Sequence, residues 1–148
     1  MTRMRLGPWI GWIGLLAGCG ATAPSGPPAA PDAKPADPNL PPPSGATVEV
    51  NWTGVGHRAA GRVRLTIGGG RGRIEFLSDF SVDAVPSPYI YLGTAATPNA
   101  GMPLRIAKLR ANSGAQQYDF EVPAGTQYPW ILIWCDHFNV PVAEAAVP

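Results

Sequence analysis

The chain has 148 residues, a formal net charge of +1, 18 glycines and 18 prolines. Because acidic and basic side chains nearly balance, no chain-wide field attracts a polyanion, and we expect no nucleic-acid partner. Beyond the N-terminal segments described next, about 100 residues remain, which suffices for one domain with a modest core.

The first segment has the features of a bacterial export signal. Arg3 and Arg5 precede an apolar stretch over residues 6–16, and no acidic residue occurs before Asp32. The stretch is shorter than the roughly 20 apolar residues that a membrane-spanning helix needs. We therefore predict that residues 1–18 are a signal peptide that is removed.

The predicted signal ends in Leu16-Ala17-Gly18-Cys19, which resembles the lipobox of bacterial lipoproteins. The resemblance implies a diacylglyceryl thioether on Cys19 and acylation of the new amino terminus, and several acyl chains anchor a protein stably to a membrane. Gly20 stands where enteric lipoproteins of the inner membrane carry aspartate. By analogy, we expect the protein in the bacterial cell envelope, anchored in the outer membrane and facing the periplasm.

Residues 19–46 have a different composition, dominated by proline, alanine, glycine and serine, with Leu40 as the one large apolar residue. Such a segment cannot bury enough surface to offset its conformational entropy, so we predict a disordered tether. Its prolines favour extended polyproline geometry at about 3.1 Å per residue, and it could hold a domain up to roughly 80 Å from a membrane.

Residues 47–148 are predicted to form one domain. Apolar and polar side chains alternate there with period two, which is typical of half-buried strands, and no stretch has helical periodicity. Predicted strands cover residues 47–52, 62–67, 73–80, 89–92, 104–110, 117–122, 130–136 and 138–146. The glycines of 68–72 predict a hairpin turn, because no Gly-Lys-Ser/Thr follows as a phosphate loop requires. About eight short strands predict an all-β, antiparallel β-sandwich with a barrel-like form.

Four blocks of this region carry a family pattern. In order, they are Phe76-Leu77-Ser78-Asp79-Phe80, Pro88-Tyr89-Ile90-Tyr91-Leu92, Leu109-Arg110-Ala111-Asn112-Ser113-Gly114-Ala115-Gln116-Gln117-Tyr118 and Ile133-Trp134-Cys135-Asp136-His137-Phe138. Together they resemble the DM-thirteen domain, also called the electron-transfer DM domain. The resemblance implies an extracytoplasmic β-sandwich with a redox role centred on Cys135, and His57 also looks like a family position.

Cys135 would be the one free thiol once Cys19 has become a thioether. In an oxidising periplasm an accessible thiol is oxidised or cross-linked, so Cys135 is either a redox-responsive group or a shielded core residue. The residues next to it in sequence supply only His137 as a source of positive charge, so thiolate activation is not evident locally.

Strand alternation places Ile131, Ile133 and Cys135 on one face of a strand, and Trp130 and Trp134 on the other. Both faces are apolar, yet only one should line the core of a sandwich, so a loop, a partner or a ligand must cover the other. If the isoleucines point inward, Cys135 is a core residue. Trp130 and Trp134 then become a candidate contact surface for a protein or polymer of the envelope.

A cofactor stays open on the sequence alone. Cys135 and His137 are two residues apart, so on a regular strand they would offer two ligands to zinc or copper, with His57 or Met102 as conceivable completions. The chain has no Cys-x-x-Cys-His attachment motif, and non-covalent ligation of haem by His57, His137 or Cys135 remains an alternative.

Two functional hypotheses follow. The first is a lipid-anchored redox or electron-transfer module in which Cys135 is the responsive centre, His137 and His57 are ligands or proton partners, and a redox protein of the envelope is the partner. The second is a non-enzymatic binding or structural module that uses Trp130 and Trp134. Hydrolase motifs such as Gly-x-Ser-x-Gly and His-Glu-x-x-His do not occur, so we expect no stand-alone enzyme.

Lipidation of Cys19 can be tested by intact-mass spectrometry of the membrane-extracted protein. We expect a mature chain that begins at Cys19 and carries the added mass of its lipids, and we expect globomycin to cause the full-length precursor to accumulate. Cys19→Ser should retain the precursor mass without lipid. A mature chain that carries no lipid on Cys19 would contradict the prediction.

Overall fold

The structure is a computed structural model that describes residues 26–148; the predicted signal peptide and Cys19 lie outside the described residues. In this part of the chain, β-strands are the only regular secondary structure. They are β1 (Ala46–Asn51), β2 (Thr53–Gly54), β3 (Ala59–Ala60), β4 (Arg62–Gly68), β5 (Arg71–Phe76), β6 (Ser81–Val82), β7 (Pro88–Gly93), β8 (Leu104–Lys108), β9 (Gln116–Glu121), β10 (Trp130–Cys135) and β11 (Val140–Ala146). Over residues 26–148, a helix long and apolar enough to cross a bilayer is not found.

The strands form two main antiparallel sheets, as predicted. The four-stranded sheet has the order β1-β4-β5-β9, and the five-stranded sheet has the order β2-β11-β10-β7-β8. A small third sheet joins β3 to β6. The eight predicted strands correspond to β1, β4, β5 and β7 to β11. The alternation did not reveal β2, β3 and β6, because two residues are too few to display a period.

The hairpin between β4 and β5 turns through Gly69 and Gly70, whose φ angles are 60° and 73°. Two consecutive residues in the left-handed region match a type I′ turn, which continues the twist of the flanking strands and favours glycine at both positions. The glycine-rich stretch is therefore a hairpin turn, as the sequence predicted.

The core lies between the two main sheets. Trp52, Phe76 and Phe80 pack there, with ring centroids 5.4 Å apart for Trp52 and Phe76 and 4.5 Å apart for Phe76 and Phe80. Ile131 and Ile133 of β10 belong to the same cluster and are fully buried. Each such side chain contributes about 1.5–3 kcal/mol through the apolar area that it removes from water.

The outer face of the five-stranded sheet is also covered. Leu132 and Trp134 are only 1% and 4% exposed although they point away from the core. Ala30, in the proline-rich segment, packs against this second cluster. Asn139 accepts hydrogen bonds from Trp134 Nε1 at 2.9 Å and from Asn99 Nδ2 at 3.0 Å, which brings the loop of residues 94–103 over the sheet. The loop of residues 94–103 and the proline-rich segment at Ala30 thus cover the outer face of the sheet, as the apolar residues on both faces of β10 predicted.

Residues 31–36, the N-terminal strap, run between the open edges of the two sheets. Four backbone hydrogen bonds hold the strap: Arg105 N to Pro31 O (2.9 Å), Ala33 N to Arg105 O (2.7 Å), Glu121 N to Lys34 O (2.8 Å) and Ala36 N to Asp119 O (3.2 Å). Arg105 belongs to β8 and the other two partners belong to β9, which are the last strands of their sheets. The strap therefore joins both layers.

The strap corrects the expectation of a disordered tether for this part of the proline-rich segment. The expectation considered only the apolar area of the segment itself, which is small. Each sheet, however, ends in a strand with unpaired backbone groups, and the strap satisfies several of them while Ala33 enters the core at 8% exposure. Backbone hydrogen bonds to existing edges can thus order a chain that has little hydrophobic surface of its own.

If the strap stabilises the sandwich, a charge introduced at Ala33 should lower the free energy of unfolding more than a charge introduced at Ala29. Ala33→Asp should lower the free energy of unfolding by about 1–3 kcal/mol, because it either buries a carboxylate or detaches the strap from both sheets. Ala29→Asp is the matched control, since Ala29 is exposed. Urea unfolding followed by tryptophan fluorescence measures both, and equal stabilities of the two variants would show that the strap does not stabilise the sandwich.

Candidate functional site around Cys135

Cys135 is the last residue of β10 and is 1% exposed. Its side chain points into the core with Ile131 and Ile133, so the structure has the orientation in which the isoleucines point inward and Cys135 is a core residue. The Sγ–H donates a hydrogen bond to the carbonyl oxygen of Pro86 at 3.0 Å. Since Pro86 is exposed, the thiol lies one residue beneath the protein surface.

The segment of residues 86–88 covers the thiol and is fixed on two sides. Cys135 pairs in register with Pro88 of β7, and the backbone N–H of Asp136 donates to the carbonyl of Ser87 at 3.1 Å. Ser87 has a φ of 49°, in the left-handed region that a serine rarely adopts. Such a conformation costs on the order of 1–3 kcal/mol and persists only where neighbouring contacts enforce it.

A buried polar network begins at the residue after the thiol. The carboxylate of Asp136, which is 4% exposed, accepts a hydrogen bond from the Tyr91 hydroxyl at 2.7 Å. Its other oxygen accepts from Arg105 Nη1 at 3.0 Å. Tyr91 itself is fully buried. Two donors, one of which is also a cation, therefore compensate the desolvation of this carboxylate.

Arg105 links that network to the N-terminal strap. Its Nε and Nη2 donate to the two oxygens of Asp32 at 2.5 Å and 3.1 Å, so one guanidinium stands between two carboxylates. The hydrogen bond from Arg105 holds the pKa of the Asp32 carboxyl below its ordinary value. Burial, reinforced by the bond to Asp136, raises the pKa of the Tyr91 phenol, which stays a hydroxyl donor across the physiological range.

The two histidines do not join the thiol. β10 ends at Cys135, and the chain turns through residues 136–139, so His137 leaves the strand alternation and is exposed. Its ring packs edge-on against Phe138, with centroids 4.5 Å apart. His57 lies between β2 and β3 and is half-buried. The expectation that Cys135 and His137 project to one side is wrong, because the strand ends two residues before His137.

The side chains that the structure describes do not support the prediction of a zinc or copper site at Cys135. Among the residues that the structure describes, no three His, Cys, Asp or Glu side chains converge to hold a metal ion. Met102, the other conceivable ligand, is 60% exposed on the loop of residues 94–103. The Cys135 sulfur already donates to a carbonyl instead of facing a second soft donor.

The predicted contact surface of Trp130 and Trp134 is largely covered. Trp134 is 4% exposed and its indole N–H bonds to Asn139, while Trp130 is half-buried beside it. The prediction took an outward-facing position as an exposed one. It did not anticipate that the loop of residues 94–103 and the N-terminal segment would lie over this face.

Sequence reasoning missed the polar network. Asp136 was assigned only to the end of a strand, and Arg105, Asp32 and Tyr91 received no role. One signal was available: Asp136 directly follows five apolar residues and a cysteine, and a carboxylate in such surroundings needs a partner. The partners are 31 and 45 residues away in sequence and become adjacent only when β7, β8 and β10 pair.

Comparison with known proteins gives one family. The model of a family described as "Electron transfer DM13" matches residues 53–147, which is most of the described domain. No curated protein and no solved structure matches the chain.

The network predicts a specific cost for removing the Tyr91 hydroxyl. Tyr91→Phe should lower the free energy of unfolding by about 1.5–3 kcal/mol, since it deletes a hydrogen bond to a buried carboxylate. Tyr89→Phe removes a hydroxyl from a half-buried ring two residues away on the same strand and serves as control. Chemical denaturation measures both variants. A Tyr91→Phe protein as stable as the control would show that the hydroxyl does not support Asp136.

Proposed function

This chain belongs to the electron transfer DM13 family, and from that membership we propose that it is an electron-transfer module of the bacterial cell envelope with Cys135 as its redox centre. In this proposal the acyl chains on Cys19 anchor it in the outer membrane, and the domain faces the periplasm. The partner is an envelope protein that carries an exchangeable disulfide.

The observation that carries the proposal is the hydrogen bond from Cys135 Sγ to the carbonyl of Pro86. A thiol held under an exposed proline is protected from small oxidants in the closed state, so it can persist in an oxidising compartment. It is nevertheless separated from solvent by one surface segment, whose Ser87 adopts an unfavourable φ. A local opening of residues 86–88 would expose it without unfolding the sandwich.

The chemical step that fits a single thiol is exchange with a partner's disulfide. After the segment opens and Cys135 releases its proton to solvent, directly or by way of His137, the thiolate attacks one sulfur of that disulfide. A bond forms between the Cys135 sulfur and this sulfur, the partner's S–S bond breaks, and the second partner sulfur leaves as a thiolate that takes up a proton. Cys135 is oxidised to a mixed disulfide, and the partner's second sulfur is reduced to a thiol.

In this proposal only one of the two histidines has a role. His137 is exposed in the turn that follows Cys135, so it is available as a proton acceptor when the thiol is uncovered. His57 has no contact with the thiol among the hydrogen bonds of the described residues, and we assign it no step.

Thiol labelling of the native protein tests the proposal. With an aromatic disulfide reagent in excess, we expect one mixed disulfide per mature lipidated chain, formed at least tenfold faster than global unfolding under the same conditions. Cys135→Ser should form none. Serine keeps a donor for the Pro86 carbonyl, so the variant should fold, and circular dichroism checks this.

The rate comparison decides the outcome. If the wild-type thiol reacts only as fast as the whole domain unfolds, Cys135 is a shielded core residue and the redox proposal fails. The same holds if a strain that expresses Cys135→Ser yields the same disulfide-linked envelope complexes as the wild type on non-reducing gels.

A further inference from the structure

The two main sheets have four edge strands, and one long edge has no partner within residues 26–148. The strap bonds to the edge strands β8 and β9, and the edge strand β2 has only two residues. The fourth edge is β1, which has six residues and pairs with β4 alone. An uncovered edge strand is a template on which another strand can pair.

β1 lacks most of the features that keep an edge strand from pairing. Its register with β4 is continuous from Ala46 to Asn51, without a bulge, and it contains neither proline nor lysine. Its one charged residue, Glu49, accepts hydrogen bonds from Arg62 at 3.0 Å and from Arg64 at 2.9 Å. The carboxylate is therefore compensated within the chain and does not need a cation from a partner.

The free backbone groups of β1 follow from the alternation of hydrogen bonds in an antiparallel pair. Every second residue bonds to the neighbouring strand, and the residues between direct their N–H and C=O groups away from it. Trp52, the residue after β1, donates its N–H to Gly61 at 2.9 Å. Counting back by two, the even-numbered residues of β1 bond to β4. The odd-numbered residues direct their backbone groups to the free side: Thr47, Glu49 and Asn51.

A second copy of β1 can pair with this edge about a two-fold axis. Opposite residues of an antiparallel pair lie on the same face, so the axis must pass through a residue. Two registers pair five residues of each strand, either 46–50 about Val48 or 47–51 about Glu49. The register about Glu49 places two carboxylates directly opposite each other, which is destabilising. The register about Val48 places Thr47 opposite Glu49 of the second copy.

We infer that β1 is a dimer surface and that its occupant is β1 of a second copy of this chain, paired antiparallel about Val48. Thr47 and Glu49 of each copy exchange backbone hydrogen bonds with Glu49 and Thr47 of the other. The contact is isologous, and it continues the two four-stranded sheets into one. The side chains of Val48, which are half-buried in each copy, meet on the inner face.

The lipid anchor of the proposed function contributes to this inference in one respect. A contact along one edge strand is small for a dimer that is stable in dilute solution. Copies that are anchored in the same bilayer meet at a high effective concentration, which favours a weak contact. The inference does not depend on the redox role of Cys135.

Disulfide cross-linking tests the register. In the Cys135→Ser background, Thr47→Cys and Glu49→Cys are purified separately as mature lipoproteins. They are reconstituted alone or mixed in vesicles of phosphatidylethanolamine and phosphatidylglycerol. Opposite residues of a hydrogen-bonded pair have Cα atoms about 5.5 Å apart, which a disulfide spans. In a dimer of either variant alone, the two cysteines are about 8 Å apart, which is beyond its reach.

With copper phenanthroline as oxidant, we expect the mixture to form the disulfide-linked dimer at least fivefold faster than either variant alone. Both substituted positions are exposed, so both variants should fold, and circular dichroism checks this. Equal rates in the mixture and in the single variants would overturn the inference. That result is also expected if β1 pairs with an extended segment of another envelope protein, since the purified copies would then stay apart.

A second pair of variants tests the edge without a cross-link. Thr47→Pro removes an N–H that points away from β4, whereas Thr47→Ala keeps it, and both lose the hydroxyl contact with Thr66. Each is labelled with donor or acceptor dye at Ala146→Cys, an exposed position, in the Cys135→Ser background. We expect energy transfer between copies in vesicles to fall at least threefold in Thr47→Pro relative to Thr47→Ala. Equal transfer in the two variants would contradict the dimer.

Flotation of the same vesicles separates this inference from the anchor. A protein that floats, yet cross-links equally in the mixture and alone, has its anchor and lacks the dimer. A protein that carries no lipid and does not float contradicts the anchor. The same comparison of cross-linking rates, made on that protein in concentrated solution, still decides whether β1 pairs with its copy.

Discussion

The structure depends on how its two sheets are held together at their edges. A sandwich of open sheets leaves a row of unsatisfied N–H and C=O groups along each terminal strand. On one side the chain itself crosses between the layers at Trp52, which connects β1 to β2. On the other side the chain crosses between β8 and β9 by the longer connection of residues 109–115, and the strap bonds to both strands. The proline-rich segment is thus part of the domain over residues 31–36, although its composition is that of a linker.

The second constraint is the charge that the fold buries beside its thiol. Asp136 is 4% exposed and accepts a hydrogen bond from Arg105, and Arg105 is shared with Asp32 of the strap. The N-terminal segment is therefore connected, through one guanidinium, to the residue that follows Cys135. Because Asp136 also bonds to Ser87 through its backbone, this network and the cover of the thiol meet at a single residue.

Much of the fold could be predicted from sequence, because alternation is a local signal that survives without tertiary information. The inward face of β4, with Val63 and Leu65, and the glycine turn after it are examples. What failed depended on the third dimension. Nothing local distinguishes the strap from a free linker, because its partners are the edges of strands 70 to 90 residues further along the chain. Likewise, the alternation predicts that Trp134 faces away from the core. Only the path of residues 94–103 across the sheet shows that this outer face is not exposed to solvent. The family pattern identified Cys135 as a candidate site residue, but it did not predict that the carbonyl of Pro86 accepts a hydrogen bond from its thiol.

The prolines of the N-terminal segment have a consequence for contacts between copies of the protein. Pro31 and Pro35 have no N–H to donate, and the remaining polar groups of the strap that bond are directed at β8 and β9. An incoming strand from a neighbouring molecule would find neither a free ladder on β8 and β9 nor a regular one on the strap. The segment that ties the two layers together thus also discourages edge-to-edge aggregation along β8 and β9.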